Sequence, residues 1–268
     1  MSEPLLLLRD VSVAFGREKP VKVTHEVSFE IFPGEVFALV GESGSGKSVT
    51  SMSILGLLPV PGAQVVSGEI LFGGRDLLKL SKRDLREVRG KQITCIFQEA
   101  LAALNPVVKI RRQLEEALPS GEAPGRILEL MKLARFADPD RVLEAYPHEL
   151  SGGMLQRVCI VMALLPGPKL LIADEPTTAL DVTVQAGVLN LLTDLSKQSN
   201  TAVLLITHNM GLVAQYAARV AVMHLGEIVE TGDVRTVIGS PRHPYTRGLL
   251  NALPDGKTSV DELVPIEP

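Results

Sequence analysis

Residues 41–48 read GESGSGKS and follow directly on the apolar run Val36-Phe37-Ala38-Leu39-Val40. Gly41, four residues, Gly46, Lys47 and Ser48 form the P-loop spacing, in which glycine main-chain N–H groups turn inward and cradle phosphate oxygens. In that pattern Lys47 reaches the β- and γ-phosphates and Ser48 offers its hydroxyl to Mg²⁺. A helix opening near Lys47 adds the positive end of its dipole. The bland alternative is a flexible Gly/Ser loop. At ordinary amino-acid frequencies the four fixed positions coincide by chance only about a few times per hundred thousand positions, and the strand before them lowers that further.

The rest of the composition narrows the class. With 268 residues, 46% hydrophobic and 22% charged, the chain is long enough to bury an ordinary core. Its apolar runs all break short of the roughly 18 residues that a membrane span requires. The start, MSEPLLLLRDVSVAF, carries an acidic residue, lacks a basic leader and then alternates, which argues against a secretory signal and for a cytoplasmic chain. A net charge of −4 gives no general attraction to nucleic acid. The two cysteines, Cys95 in ITCIF and Cys159 in VCIVMAL, have no second Cys or His at ligand spacing and read as core thiols.

Along the chain, Leu8, Val11, Val13, Phe15 and then Val27, Phe29, Ile31 suggest antiparallel strands feeding the buried strand 36–40. SGEILFGGRDLLKL and KQITCIFQ add strands, the second closing on Gln98. Helical periodicity then dominates from about 105 to 165, in IRRQLEEAL, APGRILELMKLARF, DPDRVLEAY and GMLQRVCIVMALL. Strands return in KLLIADEP and TAVLLITHN, separated by a helix from about 184 to 198. A hairpin about Leu225-Gly226 ends the pattern. This is an α/β sheet core interrupted by a helical subdomain.

Two further stretches carry chemistry. LLIADEP brings Asp174 and Glu175 to the end of a buried strand, where ligands bind in parallel α/β sheets. An aspartate there holds the Mg²⁺ of a P-loop site, and Glu175 stands next to it to polarise a water. Alone, Asp-Glu after a strand is a solvated turn; behind a P-loop it is a strong signal. Ser151-Gly152-Gly153 opens a helix at 154–165 with small residues and exposed N–H groups, a second anion site, although an isolated SGG reads more simply as a Ser N-cap.

The ordered set GESGSGKS, Gln98, LSGGM, LLIADEP, TALD at 178–181 and His208 resembles the nucleotide-binding subunit of ABC transporters over residues 5–240. The resemblance implies a P-loop NTPase fold: a RecA-like core over 1–98 and 166–240, an antiparallel β-sheet at its start, and a helical signature subdomain at about 99–165. It implies Mg²⁺-dependent ATP hydrolysis by a closed head-to-tail dimer, in which the signature loop of one copy covers the ATP held by the other. The nucleotide contacts it assigns fall on Phe15, stacking on adenine, and on Gly41, Ser43, Gly44, Ser45, Gly46, Lys47, Ser48 and Val49. Ser151, Gly152 and Gly153 act across the dimer, and Asp181 links the two sites. Ser48, Gln98 and Asp174 complete the Mg²⁺ environment, Glu175 is the base, and His208 contacts the γ-phosphate. Many members carry Asp after that histidine; this chain has Asn209.

SPRHPYTRGLLNALP, opening a tail at 241–268, resembles the segment after the core in the peptide and nickel uptake branch of importers, and GMLQR resembles its nickel or metallophore members. The implied partners are transmembrane permease subunits that dock beside Gln98 and residues 99–106, a second ATP-binding subunit, identical or a sister, and an external substrate-binding protein. The chain is then peripheral, on the cytoplasmic face of the membrane. Peptide-importing members commonly continue into a cysteine-bearing iron–sulfur segment; with no cysteine cluster, no such centre is expected here. A soluble ABC ATPase of translation or DNA repair is the alternative. It is disfavoured by the single P-loop and by the lack of a sustained heptad run.

Overall fold

The computed structural model describes residues 3–97, 103–119, 121–123, 125–177 and 182–252. In chain order the first stretch carries β1 (Leu6–Phe15), β2 (Val21–Ile31), β3 (Val36–Val40), α1 (Lys47–Leu55), β4 (Ala63–Phe72), β5 (Arg75–Asp76), α2 (Lys82–Val88) and β6 (Ile93–Ile96). Helices α3 (Ile110–Ala117), α4 (Gly125–Leu133), α5 (Pro139–Glu144) and α6 (Gly152–Leu164) follow, then β7 (Leu170–Asp174) and α7 (Val182–Ser199). The last stretch holds β8 (Ala202–Thr207), α8 (Met210–Tyr216), β9 (Arg219–His224), β10 (Glu227–Asp233), α9 (Val234–Gly239) and α10 (Pro244–Asn251). The mixed α/β fold expected from the sequence is the one observed.

The chain divides into two compact units, one of residues 1–85 with 202–268 and one of residues 86–201. In the first, β1 pairs antiparallel with β2 and with β4. The apolar alternation of β1 changes phase between Leu8 and Val11, and the register slips at that point beside Asp10, whose φ is +51°. One extra residue there lets Leu6, Leu8, Val11 and Val13 all stay buried, which a regular period of two cannot do.

In the same unit β3 lies parallel to both β8 and β9, and β10 closes antiparallel on β9. Every residue of β3 and of β8 is buried. Such strands must be apolar throughout, as VFALV and AVLLIT are, because no face is left to water. Burying a side chain such as Phe37 or Leu39 contributes about 1.5–3 kcal/mol each. Register fixes the ends: Val36 faces Val203 and Val40 faces Thr207. Gly41 and His208, the residues that follow, therefore leave neighbouring strands at one end. A cluster of Ala38, Val40, Met210, Val213, Val220, Val222, Val234 and Val237 packs beneath α8 and α9, with Tyr245, Leu249 and Leu250 of α10 resting on it.

The second unit holds the parallel pair β6 and β7, with Ile93 facing Leu170 and Ile96 facing Ala173, together with helices α3 to α7. Helix α6 begins at Gly152, two residues before the sequence expectation of Met154, and α7 runs longer than 184–198 at both ends. Glycine lowers helix propensity by about 1 kcal/mol, but in a first turn the Ser151 hydroxyl accepts the Met154 N–H at 3.4 Å and offsets part of that. No helix among the described residues is long and apolar enough to cross a membrane.

Candidate nucleotide site

The P-loop bridges the end of β3 and the start of α1. Gly46 caps that helix with φ +107° and no side-chain hydrogen bond, and the first turn carries no acidic residue. Gly46 therefore brings no side-chain oxygen to the first turn, and an anion is a favourable partner for a helix terminus of this kind. The three glycines serve different ends. A Cβ on Gly41 would overlap the Met223 carbonyl oxygen, and one on Gly46 would lie 2.8 Å from Met223 Cε. Gly44 has open space around it but sits at φ +82°, a conformation that side-chain-bearing residues seldom adopt. Ser43, Gly44 and Ser48 are exposed, Ser45 is buried and Val49 half-buried.

Lys47 is only 5% exposed. Its Nζ donates to the carbonyl oxygens of Gly41 and Glu42, each at 2.8 Å, and lies 3.4 Å from Ser45 Oγ. A shielded ammonium must find oxygens, and here the loop's own carbonyls supply them. Neighbouring elements grip the loop from outside: the Gly226 N–H donates to the Ser45 carbonyl at 2.9 Å, and the Glu42 N–H donates to Tyr245 Oη at 3.0 Å. Neither Met223, Gly226 nor Tyr245 is marked by any sequence motif near the loop.

His208 follows β8 and is exposed. Asn209 behind it N-caps α8, its Oδ1 accepting from the N–H groups of Gly211 at 2.9 Å and Leu212 at 3.4 Å. The Asn209 N–H donates to Thr207 Oγ1 at 3.1 Å. The departure from Asp thus keeps the capping geometry, since both residues offer the same acceptor. Phe15, the last residue of β1, is half-buried between its partners Val21 and Ala63.

In the second unit the fully buried strand β7 ends on Asp174, 8% exposed, and Glu175 follows at φ +46°. A left-handed glutamate is uncommon and costs of order 1 kcal/mol, the kind of local strain that clusters at working sites. Beside Asp174 on β6, the Cys95 thiol is pushed up to about 12, first by burial and then by the carboxylate's negative charge. Burial alone pushes Cys159 up to about 12 as well. The Asp174 carboxylate is the kind of hard oxygen donor that suits Mg²⁺. At the signature loop Ser151 and Gly152 are exposed, whereas Gly153 is pressed against α7, where a Cβ would lie 2.6 Å from Val184 Cγ1. Gln98 and Asp181 lie outside the described residues, as do residues 99–102 of the expected permease groove.

A family model described as ABC transporter matches residues 24–178, and one described as the C-terminal region of oligopeptide/dipeptide transporters matches residues 229–268. The chain is 56% identical over 264 residues to the peptidoglycan transport ATP-binding protein YejF of Agrobacterium fabrum, covering 96% of this chain and 48% of that protein. It is 48% identical over 267 residues to the oligopeptide transport ATP-binding protein OppD of Bacillus subtilis, covering 96% and 74%. The dimeric ATP-binding cassette MJ0796, solved in a post-hydrolysis state with ADP and Pi, superposes with a TM-score of 0.73 at 26% identity over 85% of this chain and 98% of that one.

Proposed function

We propose, from the premise that this chain belongs to the ABC transporter family, that it is the ATP-hydrolysing subunit of a peptide importer. What carries the reading is the union, in one chain, of a glycine-rich loop that opens a helix at the buried Lys47 and a C-terminal region of the oligopeptide/dipeptide type. The chain spans about half the length of the Agrobacterium relative.

The N–H groups of residues 44–48 bind the β- and γ-phosphates, and Lys47 exchanges its carbonyl partners for phosphate oxygens, a stronger charge-assisted contact. Phe15 stacks on the adenine. Ser48, Gln98 and Asp174 are the residues that would hold Mg²⁺, which would supply positive charge to the phosphates. Glu175 takes a proton from the attacking water while His208 steadies the γ-phosphate. Ser151, Gly152 and Gly153 of a second subunit close the far side, and Asp181 couples the two sites. The working domain spans residues 1–240, with the helical subdomain receiving the permease, and residues 241–268 form the tail. The complex stands on the cytoplasmic face of the membrane, with cargo chosen by the permease and an external binding protein.

Peptide cargo is favoured over nickel chelates by the oligopeptide/dipeptide tail and by the Bacillus relative's designation. Reconstitution with the permease partners and binding protein tests it. Di- or oligopeptides are expected to stimulate ATP hydrolysis severalfold; stimulation by nickel–chelator complexes alone overturns the peptide reading.

A further inference from the structure

The peptide group joining Gly41 to Glu42 is held at both of its polar atoms. Its carbonyl oxygen accepts from Lys47 Nζ at 2.8 Å, and its N–H donates to Tyr245 Oη at 3.0 Å, across 203 positions of sequence. In a trans peptide these two atoms point in opposite directions, so lysine and tyrosine grip the plane from opposite sides. One grip is temporary: on the ATPase reading, on which this inference rests, Lys47 leaves the carbonyl for phosphate. The plane then keeps its tie to the tyrosine hydroxyl.

That hydroxyl is itself firmly placed. The Tyr245 ring stacks on His224 with centroids 3.8 Å apart and planes at 28°, and with Leu249 and Leu250 it packs on the cluster beneath β3. Its own N–H donates to His243 Nδ1 at 3.2 Å, the N-cap of α10, and Pro244 occupies the first turn. The turn before it is fixed by Glu230, whose carboxylate accepts from the N–H groups of Arg242 at 2.8 Å and His243 at 3.0 Å. A hydroxyl so constrained loses little entropy in holding a loop.

We infer that Tyr245 is a positioning residue for the P-loop: its hydroxyl keeps the Gly41–Glu42 peptide in its binding orientation once Lys47 has turned to the triphosphate. The C-terminal segment thereby contributes to nucleotide affinity without touching the nucleotide. Without the tie the peptide is free to rotate, and ordering it is charged against ATP binding, not against the chemical step.

Tyr245→Phe removes the hydroxyl and keeps the ring. In the full chain it is expected to weaken ATP binding, measured by equilibrium titration, by about three- to tenfold, the worth of one hydrogen bond. KM for ATP is expected to rise alike while kcat stays within about twofold. Leu249→Ala loosens the same helix but leaves the hydroxyl, and is expected to lower the melting temperature with ATP affinity kept. Tyr245→Phe binding ATP as tightly as the unsubstituted chain overturns the inference, as does an equal affinity loss in Leu249→Ala. An unsubstituted chain that binds no ATP overturns the ATPase reading first.

Discussion

Gly153 and Val184 meet so closely that a Cβ on Gly153 would stand 2.6 Å from Val184 Cγ1. The second glycine of the LSGGM stretch is therefore needed for packing. Valine is stiff at χ1 and cannot swing aside. Gly153→Ala is expected to cost about 1–3 kcal/mol by overpacking, read as a lower denaturant midpoint, and Val184→Ala in the same chain should restore most of it. Unchanged stability in the single variant would leave the backbone as the only reason for glycine.

Much of this was legible in the sequence because the P-loop is local: spacing, strand and helix lie within about twenty residues, and backbone chemistry dictates each type. The phase change between Leu8 and Val11 was passed over, because the run reads as plain alternation until the register slip beside Asp10 is seen. What was hidden is contact between distant residues. Nothing in VMHLGE announces that Met223 fills the space that a Cβ on Gly41 would take, nor does HPYT reveal that its tyrosine accepts from Glu42. The start of α6 at Gly152 was missed because two glycines read as loop, and only the Ser151 cap shows that the turn is already helical.

Asn209 stands where the family resemblance leads one to expect Asp, and two roles can be separated there. If the residue acts by capping α8, Asn209→Asp is expected to leave stability within about 0.5 kcal/mol, whereas Asn209→Ala loses about 0.5–2 kcal/mol. Chemical denaturation of the three chains decides. Equal loss in both variants would mean that the amide nitrogen, and not the capping oxygen, is what the fold uses.

The two thiols set a window in pH. Both are raised from an ordinary 9.0 to about 12, so the folded state favours the neutral form. Their contribution to stability is fully present below about pH 9 and is lost as pH rises toward 12. At pH 8 only about one thiol in ten thousand is a thiolate at that value. Iodoacetamide at pH 8 should leave Cys95 and Cys159 unlabelled in the native chain and label both in urea, as read by mass spectrometry. Rapid native labelling of Cys95 would show that the Asp174 end of β6 opens to solvent.

Glu175 follows a buried strand at φ +46°, a conformation retained only where the surroundings enforce it. Glutamine has the same length and backbone preference, so Glu175→Gln removes the proton acceptor while leaving the strained turn intact. As a general base the carboxylate is worth about 10²–10⁴ in rate. The variant should therefore bind ATP normally, hydrolyse it at least about a hundredfold more slowly, and accumulate as an ATP-bound dimer on size-exclusion chromatography. Binding and chemistry separate cleanly in this experiment, because the proposed phosphate contacts belong to Lys47 and the α1 terminus and not to Glu175. Turnover at the unsubstituted rate would mean that another group takes the proton, and Glu175 would then be left with a conformational role alone.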